Sequence, residues 1–180
     1  MKPRSKEGSI NVKIMQKQHT IQGGSVGGAP SIARRSPSKR WYYDVAIGSL
    51  RLDGQETGGS YSLFELSLGP GKGVARHTHT HEDEGYYVLS GELEVIVGDK
   101  VFVLKAGDTL IAPRGVSHEL CNPGDADNHY LNVFSPSGFE GFLNAISVPA
   151  PDGAVAPLEP PSLPVQNVSE LLAEYGIHFS

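Results

Sequence analysis

Between Trp41 and Phe134, apolar and polar residues alternate in short runs broken by glycine- and proline-rich turns. A period of two is the mark of half-buried β-strands. The segment Tyr61 to Leu68 is the clearest: Phe64, Leu66 and Leu68 fall on one side, Glu65 and Ser67 on the other. Trp41 to Leu52 reads as one strand or two short ones ahead of the turn Asp53-Gly54. Further strands are predicted at Tyr86 to Leu89, Glu92 to Val97, Lys100 to Leu104, Thr109 to Ala112, Ser117 to Cys121 and Tyr130 to Phe134. Ser90-Gly91 and Gly98-Asp99 have the length and residue types of two-residue hairpin connections, which need positive φ. At least eight short strands at this spacing imply an all-β fold, a closed or double-sheet antiparallel barrel.

The flanks differ. Residues 138–146 have the pattern of a short helix, and residues 149–164 hold six prolines, expected to run extended along the surface. Ser169 to Tyr175 is expected to form a terminal helix, with Ser169 as its cap and Gly176 as its stop. The chain thus divides into an N-terminal arm (1–40), a barrel (41–147) and a Pro-rich extended tail ending in the short helix (148–180).

Charge sharpens this division. Residues 1–40 carry nine Lys/Arg against one acid, and the remainder six against nineteen. The arm reads as a flexible, solvated basic tail, since Gly23-Gly24-Ser25-Val26-Gly27-Gly28 interrupts it and no apolar period runs through it. The acidic body argues against a nucleic-acid partner. No apolar window is long enough to span a membrane, and the single Cys121 excludes an internal disulfide and suits a reducing, cytoplasmic setting.

The candidate chemistry lies in two segments, Gly71-x5-His77-x-His79-x4-Glu84-x6-Gly91 and Gly107-x5-Pro113-x-Gly115-x2-His118-x3-Asn122. With Thr80 to Asp83 as a four-residue loop, His79 would stand opposite Glu84 across a hairpin, at a Cβ separation of about 4.5–5.5 Å. His77 shares the face of His79, and His118 arrives from another strand. His81 is an alternative to His77 only if Glu82-Asp83 forms a two-residue turn, where Glu is a poor fit; the expected ligands are therefore His77, His79, Glu84 and His118. Three imidazoles and a carboxylate suit a divalent transition metal, namely Fe, Mn, Ni, Cu or Zn. His81, Glu82 and Asp83 are expected to be solvated loop residues, and Cys121 to point away from His118 as a packed thiol.

Both segments, at these spacings from Gly71 to Asn122, resemble the cupin superfamily, and their surroundings resemble small single-domain cupins of the quercetin 2,3-dioxygenase-like kind. The resemblance covers roughly residues 41–147. It implies a jelly-roll barrel, a metal held by the four residues above, and frequent homodimerisation. One departure is Ala75-Arg76, where many relatives place a proline shortly before the first histidine.

The function expected from these readings is that of a metal-dependent oxidoreductase, a dioxygenase acting on a small aromatic or enolic substrate. Glu84 would serve as catalytic base, with Tyr86, Val88 and Phe64 lining the substrate pocket. The alternatives are a non-redox isomerase, lyase or cyclase, and a non-catalytic small-molecule-binding protein.

Overall fold

The computed structural model describes residues 40–157, 159, 161, 162, 164 and 167–180. The basic arm, Arg40 apart, lies outside them.

Twelve strands and two short helices follow one another: β1 (Trp41–Tyr43), β2 (Ala46–Leu52), β3 (Ser62–Leu68), β4 (Gly73–His79), β5 (Asp83–Ser90), β6 (Glu92–Val97), β7 (Lys100–Lys105), β8 (Thr109–Ala112), β9 (His118–Cys121), β10 (His129–Ser135), α1 (Glu140–Ile146), β11 (Val148–Pro149), α2 (Val168–Glu174) and β12 (Ile177–Phe179). They form two antiparallel sheets, of order β11-β1-β2-β3-β10-β5-β8 and β12-β4-β9-β6-β7. The fold is the double-sheet antiparallel arrangement that the strand rhythm predicts, in the jelly-roll form that the family resemblance implies, and its core lies between the sheets. Phe64, Leu66 and Leu68 of β3 meet Val88 of β5, Leu93 and Val95 of β6 and Tyr130 of β10 there, all buried. Burial of such side chains is the main force holding two sheets face to face.

Two turn assignments need correction. Gly98-Asp99 does close a hairpin, with Val97 paired to Lys100. Ser90-Gly91 does not: β5 and β6 belong to opposite sheets, so the positive φ of Gly91 turns a corner between layers. The loop after His79 is likewise a corner, because β4 and β5 lie in different sheets. An alternating pattern shows where a strand ends but not which sheet the next one joins.

The tail is more closely tied to the barrel than its prolines suggest. β11 pairs with β1 through Trp41↔Pro149 and Tyr42↔Val148. The terminal helix starts one residue early, at Val168, and its N-cap is Asn167, whose side chain accepts from the Glu170 amide; Ser169 lies within the helix. Gly176 (φ 63°) ends it as expected. The chain then adds β12 to the edge of β4, with Ile177 opposite His79 and Phe179 opposite His77. The Gly176 carbonyl accepts hydrogen bonds from both the Thr80 amide and the Thr80 hydroxyl, at 3.0 Å each. Among the described residues no helix is long and apolar enough to cross a membrane.

Candidate metal centre

Strand β4 presents His77 and His79 on its inward face, and both are buried. β9 pairs with β4 so that His118 stands directly opposite His77. Glu84 arrives from the other sheet, on β5. The carboxylate therefore meets His79 across the barrel interior, rather than across a hairpin ladder as the sequence pattern suggests. The convergence itself is as expected. Glu84 Oε2 lies 2.9 Å from His118 Nε2, 3.3 Å from His79 Nε2 and 4.0 Å from His77 Nε2. One ligand atom from each of the four residues lies within 4.8 Å of the others.

This donor set could hold a metal ion. Nitrogen and oxygen ligands sit about 2.0–2.2 Å from such an ion, so ligands on opposite sides of it stand at most about 4.4 Å apart. The four side chains need only a small inward shift to meet that span. The ring orientations also fit. His77 Nδ1 lies 2.8 Å from the Ala75 carbonyl oxygen and His118 Nδ1 3.0 Å from that of Val116. A carbonyl only accepts, so each Nδ1 carries a proton, which leaves Nε2 as the nitrogen that each ring would offer to an ion at the centre.

The electrostatics reflect four ionisable groups buried side by side. Burial alone would raise the pKa of Glu84, but hydrogen bonds from His118 and His79, and their charge, hold it well below the usual carboxylate range. Burial opposes protonation of His118, yet the Glu84 carboxylate raises its pKa on balance. His77 is lowered to about 4, chiefly by burial, which outweighs the raising effect of the Glu84 carboxylate; the neighbouring imidazoles lower it further.

Beside the four residues lies a cavity of about 230 Å³. Its walls are mainly apolar, with Phe134 of β10, Phe139, Phe142 of α1 and Ile177 and Phe179 of β12. Asn132 of β10 also lines it and donates from Nδ2 to Glu84 Oε1 at 3.0 Å. Asp44, in the β1–β2 turn with φ 55°, contributes the other carboxylate; burial raises its pKa. No Lys or Arg is among the lining residues.

The residues expected to line a substrate pocket lie apart from this cavity. Phe64, Tyr86 and Val88 are fully buried, as their parity predicts, but none lines the cavity. The rings that do line the cavity are Tyr43, Tyr130, Phe134, Phe139, Phe142 and Phe179. Phe64 packs edge-on behind Tyr43 and Phe134, with centroids 5.7 and 6.0 Å away, and Tyr86 sits 6.4 Å from Tyr130. The Tyr86 hydroxyl is buried without a hydrogen-bond partner, and burial together with nearby Glu84 raises its pKa well above the ordinary value. The wall residues that do face the cavity had a readable sign in β10, where Tyr130, Asn132 and Phe134 form the inward face with one polar member. The contribution of β12 had no such sign, since an exposed-looking tail carries no periodic mark of where it docks.

The loop residues are divided. His81 is exposed, and Cys121 points outward, with Sγ 3.7 Å from Glu94 Oε1, both as expected. Asp83 is not simply solvated: it holds Arg114 through both carboxylate oxygens at 3.0–3.1 Å. Glu82 departs furthest, being only 3% exposed.

Known proteins match the central part of the chain. Residues 64–134 match the family model described as the cupin domain. The chain is 32% identical over 85 residues to mannose-1-phosphate guanylyltransferase 2 of Escherichia coli O157:H7, covering 47% of this chain and 18% of that protein. It is 28% identical over 89 residues to quercetin 2,3-dioxygenase of Bacillus subtilis, covering 49% and 26%. A solved Thermotoga maritima structure, described as a predicted oxalate decarboxylase, is 29% identical with a TM-score of 0.48, covering 51% of this chain and 80% of that one. The chain thus spans about a fifth to a quarter of the length of these two curated relatives.

Proposed function

Residues 64–134 belong to the cupin family, and on that premise we propose that the protein is a metal-dependent dioxygenase acting on a small, uncharged aromatic or enolic substrate. The observation that carries this reading is the pairing of a donor set of three histidines and one glutamate with an apolar, ring-lined cavity that contains no cationic side chain. A divalent transition ion bound there supplies Lewis-acid and one-electron chemistry.

The chain's own residues define the rest. His77, His79, His118 and Glu84 would hold the ion. Asn132 fixes Glu84 by donating to Oε1, which leaves Oε2 facing the centre to take a proton from substrate. The Phe134, Phe139 and Phe142 rings form an aromatic wall, with successive centroids 4.1 and 5.3 Å apart, that would seat a planar ring and exclude water. Asp44 and Glu84 are the carboxylates on the lining and no Lys or Arg offsets them, so dicarboxylates and sugar phosphates are disfavoured. The volume, about 230 Å³, falls below the ~300–1,000 Å³ typical for drug-sized ligands, which favours a single ring over a flavonol. The similarity to a quercetin dioxygenase supports oxygen chemistry in general, and the cavity argues for a smaller substrate.

The test is dioxygen uptake by protein loaded separately with iron, nickel, copper, manganese and zinc, against catechols, small enols, oxalate and a hexose phosphate. Uptake with catechols or enols and a redox-active ion is expected. Turnover under strict anaerobiosis with zinc or manganese would overturn the reading in favour of a non-redox isomerase, lyase or cyclase.

A further inference from the structure

We propose that Glu82 is a positioning residue of the metal centre, whose carboxylate accepts a hydrogen bond from His79 Nδ1 and so turns His79 Nε2 to the ion. The inference rests on the metal-binding reading above.

All three imidazoles direct Nε2 toward Glu84. Two are held there in the same way, by the backbone carbonyl two residues earlier. His79 has no such anchor: its Nδ1 is buried and without a hydrogen-bond partner. Glu82 Oε2 is also buried and without a partner, and it lies 3.9 Å from that Nδ1. Two orphaned polar atoms of complementary type therefore face each other in the interior, where such groups are nearly always paired. The separation exceeds an ordinary N–H···O distance by roughly 1 Å. Rotation about the broad terminal torsion of Glu82 covers that gap. The imidazole cannot swing away to escape it, because Phe139 stands edge-on at 4.5 Å and Phe134 at 5.7 Å.

Charge balance points the same way. Three neutral imidazoles, Glu84 and a divalent ion leave one net positive charge, and Glu82 brings the buried group to zero. Arg114, the nearest guanidinium on the adjoining turn, is already engaged by Asp83 and by the Ser135 carbonyl. A carboxylate on the far nitrogen of a metal-ligating histidine fixes its tautomer and raises its basicity. In sequence Glu82 looks like one more acid in a loop. Only the corner between sheets, which turns it inward behind His79, separates it from its neighbour Asp83.

The experiment compares wild type, Glu82→Gln and Glu82→Ala by cobalt(II) titration against a competing chelator, with visible spectra of the loaded forms and melting curves of the metal-free forms. Glu82→Ala is expected to weaken cobalt binding about 10- to 100-fold and to shift the ligand-field bands. Glu82→Gln, which keeps an acceptor but not the charge, should lose less and shift the bands less. The metal-free melting temperature should hold or rise in Glu82→Gln, because an uncompensated buried charge has been removed. Unchanged affinity and spectrum in Glu82→Ala would overturn the proposal. So would a loss of affinity matched by an equal fall in metal-free melting temperature in both variants, since that is the behaviour of a packing residue. If wild type itself binds no cobalt, the metal centre fails rather than the role of Glu82 within it.

Discussion

Replacing Gly176 by alanine tests whether the C-terminal strand is part of the site. Gly176 has φ 63°, a conformation that costs an L-residue about 1–2 kcal/mol. An added Cβ would also run into Thr80 Oγ1 and the His81 ring, which lie on the corner leading out of β4. Against this stands what holds β12 in place: three register pairs with β4 and the burial of Ile177, worth about 1.5–3 kcal/mol. The penalty and the holding energy are of similar size. The expected outcome is detachment of β12 with the barrel intact. Hydrogen exchange should show the Thr80 amide, which donates to the Gly176 carbonyl, losing most of its protection, while β5, β6 and β10 keep theirs. The cavity would then open on the side of Ile177 and Phe179. Unchanged protection at Thr80, with a melting temperature equal to wild type, would refute the placement of the tail on the site.

Other perturbations have equally definite outcomes. Phe139→Ala removes a ring packed on Phe134, His79 and Phe142; because one side already faces the cavity, the loss should fall near the low end of the Phe-to-Ala range, about 3 kcal/mol by urea denaturation, and a loss under about 1 kcal/mol would contradict the packing. His81→Ala should leave bound metal at the wild-type level by elemental analysis, whereas His77→Ala should lower it; the reverse would mean that the wrong pair has been identified. Hydrogen bonds from Arg114 lower the pKa of Asp83, so its contribution to stability is fully present above its unfolded value, 3.8, and is lost as pH falls through the lower folded value. Asp83→Asn should therefore destabilise by less than about 1 kcal/mol at neutral pH, since the pair is partly solvated, and by nothing in strong acid.

The donor set was legible because strand parity is strict: His77 and His79 share a face whatever strand lies beside them, and the turn chemistry around His118 locates its strand. The sheet partnership was not legible. Residues 80–82 could equally close a hairpin or turn a corner, and that choice decides whether Glu82 faces water or His79. The lining of the cavity was not legible for a related reason. Parity places Tyr86 and Val88 inside, but how deep in the barrel they sit depends on which rings stand before them, and Phe134 and Phe139 come from segments far along the chain. The docking of β12 on β4 is set by Gly176 and Thr80 together, a contact between residues 96 positions apart that no local pattern encodes.

The most direct measurement is a crystal structure of metal-loaded protein with anomalous data collected at the absorption edge of the ion. One anomalous peak per chain is expected, within bonding distance of the Nε2 atoms of His77, His79 and His118 and of a Glu84 carboxylate oxygen. A peak elsewhere, or none at full loading, would contradict it.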